Sequence, residues 1–118
     1  MAETIEISMP RGDLKKCRFW IRDQYGEVSD IQFDEIYFTV KRNFYDQDFI
    51  FQKRLSDNSI VRLEDGSYQF TIEPADTNDC AVAMHVCDIE IVEEGSIKQT
   101  VVGTLDLTNE VTYARNEA

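Results

Sequence analysis

The chain has one histidine, one tryptophan, two prolines and three cysteines among 118 residues, and no apolar run approaches the length of a membrane span. Each scarcity excludes a class of function. A single histidine, with no CxxC or HxxxH spacing, leaves a zinc site short of ligands and a nucleophile without a positioned base. No glycine-rich phosphate loop is present either, so neither enzymatic activity nor a cofactor or metal is expected. The opening MAETIEISMPRGD carries no basic segment followed by an apolar one, and no signal peptide is expected. Basic residues are scarce as well: 12 Lys and Arg face 23 Asp and Glu, a net charge of −11. Phosphate backbones and anionic lipid repel such a chain, so no nucleic-acid and no membrane partner is expected; a basic protein partner suits it better.

What is present is strand pattern. Apolar residues make up 42% of the chain, enough for one ordered domain over residues 1–118 rather than an acidic disordered tail. The organising stretch is GSYQFTIEPADTNDCAVAMHVCDIEIV, Gly66 to Val92. Tyr68, Phe70 and Ile72 alternate with polar residues, Pro74 ends that strand, and Asp76, Thr77 and Asn78 are turn formers able to bond their own backbone. A second strand then places Ala83, His85, Cys87, Ile89 and Ile91 on one face. Around this corner the spacing predicts strands over Thr4 to Met9, Leu14 to Asp23, Glu35 to Arg42, Asp48 to Leu55, Ile60 to Leu63 and Ser96 to Leu107. Val28 to Asp34 reads as irregular, Glu93-Glu94-Gly95 as a hairpin turn, and roughly 109–118 as a frayed or extended tail. About eight short antiparallel strands, with no helix-period segment of useful length, predict an all-β sandwich or barrel.

Candidate sites are few. Cys17 and Cys87 fall on predicted inward faces of two long strands, either as buried thiols behaving as small hydrophobes or as an inter-sheet disulfide. His85, two residues before Cys87, stands where a sandwich corner uses a polar tip to bond upstream backbone, and Pro74, Asp76, Thr77 and His85 together form the expected structural corner. Arg11-Gly12-Asp13 spells an integrin-binding tripeptide but reads as a charged turn. Asp76, Asn78 and Asp79 lack the spacing of a calcium loop, and Asp88, Glu90, Glu93 and Glu94 read as a solvated strand face and hairpin tip. Parity leaves Trp20, Phe44, Tyr45 and Tyr113 outside or in loops, the expected protein-contact surface. Lys15, Lys16, Arg18 and Arg22 add a basic stripe. An alternative use of Trp20, Tyr25 and Tyr45 is as stacking platforms for a carbohydrate or another small ligand.

Several segments together carry a resemblance: PRGDLKKCRFWIRDQYGEVSDIQFDEIYFTVKRN, YQFTIEPADT and HVCDIEIVEEGSIKQTVVGTLDLTNEVT. The chain resembles the small immunoglobulin-like domains of phage and prophage structural proteins, in particular the N-terminal domain of phage baseplate upper proteins. The matching positions are the Gly12-Asp13 pair, the turn Asp23 to Gly26, the strand Tyr37 to Lys41, the corner Phe70 to Thr77, the strand around Cys87-Asp88-Ile89-Glu90 and the closing strand Gly103 to Leu107. His85 and Cys87 depart from it, standing where aromatics are expected. The resemblance implies an immunoglobulin-like β-sandwich of seven to eight strands and a non-enzymatic structural or assembly role, baseplate or tail-associated. The implied partners are other virion proteins or further copies in a homo-oligomer, and the implied location is the virion or the bacterial host cytoplasm.

Overall fold

The computed structural model describes residues 4–23, 25–29 and 33–109. Its eight strands and single helical turn are β1 (Ile5–Pro10), β2 (Lys15–Phe19), β3 (Glu35–Lys41), β4 (Phe51–Arg54), β5 (Ile60–Arg62), β6 (Tyr68–Ile72), α1 (Pro74–Thr77), β7 (Met84–Glu93) and β8 (Ser96–Thr108). They form two sheets, one of five strands in the order β1-β8-β7-β3-β4 and one of three in the order β2-β6-β5. The protein is all-β. None of its described helices is long and apolar enough to cross a membrane.

Period-2 patterning builds both sheets. Ile36, Phe38 and Val40 of β3, Cys87, Ile89 and Ile91 of β7, and Leu105 and Leu107 of β8 turn one face of the larger sheet inward. Tyr68, Phe70 and Ile72 of β6 and Ile60 of β5 meet them from the smaller sheet. The two layers touch through Phe38 and Phe70, whose rings stack with centroids 4.2 Å apart, an arrangement that adds to the area both rings bury. The hairpin joining β7 to β8 turns on Glu94 and Gly95 at φ +54° and +77°, the two positive dihedrals of a type I′ turn.

Three expectations are corrected. The strands are not all antiparallel, because β1 pairs with β8 in parallel, Ile5 opposite Gly103 through Pro10 opposite Thr108. Gly103 makes this possible: a Cβ there would lie 2.0 Å from the Ile5 carbonyl oxygen, a contact no side chain tolerates. Strand β2 covers Lys15–Phe19 rather than Leu14 to Asp23. Beyond it Arg22 pairs with Val28 in an isolated bridge, and Asp23 Oδ1 accepts the amides of Tyr25 and Glu27 at 2.9 and 3.0 Å. Past Phe19 the backbone pairs with its own return segment instead of with β6: the Asp23 amide donates to the Glu27 carbonyl and the Ser29 amide to the Ile21 carbonyl, both at 2.8 Å. Strand β4 likewise begins at Phe51 rather than Asp48, leaving Phe49 and Ile50 exposed. The predicted tail beyond Asn109, with Tyr113, and residues 30–32 of the irregular stretch lie outside the described residues.

Candidate functional site

The corner between β6 and β7 is a clamp on distant parts of the chain. Asp76 Oδ2 accepts the Glu73 amide at 2.8 Å, closing the first turn of α1. The same oxygen lies 2.7 Å from Lys53 Nζ, in a pair whose side chains keep only 18% and 12% of their exposure. Lys53 stands opposite Phe38 in the β3–β4 register, so it points inward from an edge strand and runs over the Phe51 ring before its ammonium reaches Asp76. An inward charge of this kind blunts an exposed sheet edge. Thr77, fully buried, accepts the Gly12 amide through its hydroxyl at 2.8 Å, and Arg11 Nη1 donates to the Cys80 carbonyl at 3.2 Å. Arg11-Gly12-Asp13 is therefore the crossover that ties β1 and β2 to the corner. Local reading had these side chains bonding their own backbone; the long-range partners of Asp76 and Thr77 leave no trace in local sequence.

His85 is buried, with Nδ1–H donating to the Ala83 carbonyl at 3.0 Å, while its Nε2 has no hydrogen-bond partner. The three cysteines are free thiols. Burial, with smaller contributions from Asp88 and Cys17, pushes the Cys87 thiol up to about 12, and burial raises Cys17 as well. Neither is a nucleophile near neutral pH. No group of three or more His, Cys, Asp or Glu among the described residues is arranged to hold a metal ion.

The exposed aromatics do not share a surface. Trp20 follows β2 and carries the Arg18 guanidinium 5.2 Å from its ring centroid. It lines a groove of about 790 Å³ with Thr4, Arg22, Asp23, Gln99 and Thr100, floored by Phe19, Ile89 and Ile91. Arg18 itself is bound to Ser67 and Asp65. Hydrogen bonds from the Ser67 hydroxyl and amide, with the Arg18 charge beside them, hold the Asp65 carboxyl below its usual range. Phe44 and the almost fully exposed Tyr45 sit instead in the β3–β4 loop. Tyr25 and Tyr45 both occupy loops, so Trp20, Tyr25 and Tyr45 form no aromatic row on one sheet face.

The outer face of the five-stranded sheet is the more coherent surface. Thr39, Asp88 and Val102 lie abreast on β3, β7 and β8, with Lys41, Val86 and Thr104 in the next row outward-facing. Exposed Met84 and Val102, with Phe44 from the neighbouring loop, put apolar side chains on this face. Between them Thr39, Lys41, Phe44, Val86, Cys87 and Asp88 line a pocket of about 100 Å³. Asp88 was expected to be a solvated carboxylate. Instead its Oδ1 is shielded from water with no hydrogen-bond partner. Burial first, then the charge of Glu90, raise its carboxyl above the ordinary value despite Lys41 nearby. Lys41 does not satisfy it: its ammonium donates to the Asp46 carbonyl at 2.6 Å and makes no hydrogen bond to Oδ1. Sequence reasoning missed this because Thr39 and Lys41 meet Asp88 and Val86 only through the β3–β7 register, which leaves no local signal.

Comparison of the chain with protein-family models, with curated proteins and with solved structures finds no match in any of the three.

Proposed function

We propose that the chain is a non-enzymatic structural or assembly domain, an immunoglobulin-like sandwich of a phage or prophage baseplate or tail, that acts through protein–protein contacts. The observation that carries this reading is the outer face of the five-stranded sheet, where Phe44, Met84 and Val102 stand exposed around a concave patch. Exposed apolar groups collected on one face, rimmed by charge, mark contact surfaces in domains of this size. The strand order supports the fold half of the proposal. The orders β2-β6-β5 and β8-β7-β3-β4 match B-E-D and G-F-C-C′ of a variable-type immunoglobulin sandwich, with β1 added in parallel beside the last strand. The partners are further copies of the chain or neighbouring virion proteins, met in the virion or in the host cytoplasm during assembly. Light scattering on the purified chain across a dilution series tests this. A mass rising above the monomer with concentration supports self-assembly, and a clean monomer at high concentration with no virion partner overturns it.

A second reading, a carbohydrate- or small-ligand-binding module, draws on the groove beside Trp20, whose about 790 Å³ falls in the range of ligand sites. Because Trp20 is the sole tryptophan, its fluorescence reports this groove directly. A saturable change in emission with a glycan favours this reading over assembly; an unchanged spectrum across a glycan panel removes it.

A further inference from the structure

We infer that the outer face of the five-stranded sheet packs against the same face of a second copy, about a twofold axis that runs along β7, an inference that rests on the assembly reading of this face. Register fixes what such an axis brings together. The central strand of the five is β7, and its Val86 pairs with Thr104 of β8 on one side and Lys41 of β3 on the other. A twofold axis over β7 exchanges the two flanks, so Lys41 of each copy comes to lie over Thr104 of the other. Met84 and Val86, on the axis strand, meet the same residues of the second copy. Val102 meets Thr39, since both stand beside Asp88.

Charge selects this axis. Two carboxylates border Thr104 on the outer face: Glu6, opposite it on β1, and Asp106, the next outward residue of β8. Neither has a hydrogen-bond or ion-pair partner among the described residues. On the other flank Lys41 of β3 and Arg54 of β4 carry positive charge. The Lys41 ammonium donates one hydrogen to the Asp46 carbonyl and keeps its others for a partner. Around Thr104 and Lys41 the face is therefore self-complementary, acidic on the β1–β8 flank and basic on the β3–β4 flank, with Met84, Val86 and Val102 between. An axis across the strands would instead lay each acidic flank over the other, where like charges oppose association. The β7 axis has one cost, because Glu90 lies on the same strand and meets its counterpart. Five strands about 4.8 Å apart and about seven residues long, at about 3.3 Å each, cover roughly 550 Å², so two faces bury about 1,100 Å². That is the range of a weak, concentration-dependent contact, and closed twofold symmetry stops it at two copies.

Charge reversals, read by sedimentation equilibrium of the full chain over a dilution series, test this. The parent should reach a dimer and go no further. Lys41→Glu alone, and Glu6→Lys/Asp106→Lys alone, should each weaken dimerisation at least about tenfold, since each sets like charges together at both symmetric sites. Mixed one to one, the two variants should recover a dimer of parental strength, because every reversed flank then meets one of opposite sign. Glu90→Gln should tighten the parent dimer. If circular dichroism shows Lys41→Glu to be unfolded, Lys41→Met, neutral and with the stem retained, should still weaken the dimer. Mixed variants that stay monomeric, a parent mass that climbs past two copies, or Lys41 variants as dimeric as the parent would each overturn the inference and leave the assembly reading in place. A parent that stays monomeric but binds a virion partner does the same; a monomer with no such partner removes both.

Discussion

Replacing Asp76 by alanine tests whether the β6–β7 corner holds the two sheets together. The substitution removes an acceptor for the Glu73 amide and the counter-ion of Lys53 in one step. Loss of a helix-start acceptor costs about 1 kcal/mol. Loss of the ion pair costs more, because Lys53 keeps only 12% of its side-chain exposure and its ammonium cannot rehydrate fully while its stem packs over Phe51. A fully buried pair broken on one side costs about 3–5 kcal/mol and an exposed one less than about 1; this pair sits between, at about 2. The sum is about 3 kcal/mol, a large part of the stability of a domain this size. Urea unfolding followed by Trp20 fluorescence measures it as a lower midpoint with an unchanged slope. Lys53→Met should cost less, since the methionine keeps the packing over Phe51 and Asp76 keeps its amide donor. In the double variant Lys53→Met/Asp76→Ala the losses should fall short of additive by about 1 kcal/mol or more. An Asp76→Ala loss below about 1 kcal/mol, or strict additivity, refutes the clamp.

Three further outcomes are expected. Gly103→Ala should detach β1 and destabilise by at least about 2 kcal/mol, because the new methyl meets the Ile5 backbone; amide exchange at Ile7 and Met9 should accelerate, and unchanged protection there would contradict the steric argument. Cys87, with its thiol pushed up to about 12 by burial, should stay unlabelled during a brief iodoacetamide pulse of the folded protein and react once urea unfolds it; rapid labelling without urea would contradict that burial. Asp88→Asn should stabilise the free chain by about 1 kcal/mol at neutral pH, the low end for an unsatisfied group because the residue is only half-buried. Since the folded-state pKa of Asp88 is raised, the penalty in the parent is absent below the ordinary value of 3.8 and grows as pH rises through the folded value. Glu90 adds to it, Lys41 offsets part, and Val102, its neighbour on β8, brings no charge. The gain from asparagine should therefore close on acidification, and a gain that persists at pH 3 would contradict the assignment.

Much of the architecture was legible from alternation alone. Tyr68, Phe70 and Ile72, and His85, Cys87, Ile89 and Ile91, all lie on the inward faces that their parity predicts, because a period of two leaves a half-buried strand no other choice. The β7–β8 hairpin was legible from Glu94-Gly95. Pairing partners were not. Nothing local says that β1 runs parallel to β8, since that depends on a missing side chain at Gly103 meeting the Ile5 backbone. The end of β2 was blurred because the backbone beyond it bonds its own return segment, Ile21 and Asp23 pairing with Ser29 and Glu27. Nothing in the sequence pairs Lys53 with Asp76, a contact made because its register opposite Phe38 turns it inward. The candidate surface was the least legible part. Parity grouped Trp20, Phe44, Tyr45 and Tyr113 as one contact surface, whereas the fold sets Trp20 and Phe44 in separate concavities. The residues that complete the outer face, Met84, Asp88 and Val102, carry no motif and meet only through the β7–β8 register.

Light scattering of the parent chain beside a Met84→Glu/Val102→Glu variant, over the same dilution series, tests the outer face of the five-stranded sheet most directly. Both side chains are exposed, so the variant should fold with an unchanged unfolding slope, its midpoint lowered because each new carboxylate stands opposite an acidic residue, Asp106 or Asp88. The account predicts a parent mass that climbs above the 13.7 kDa monomer with concentration and a variant that stays at it. A parent that remains monomeric throughout, or a variant that associates as strongly as the parent, would contradict the assignment of this face as the contact surface.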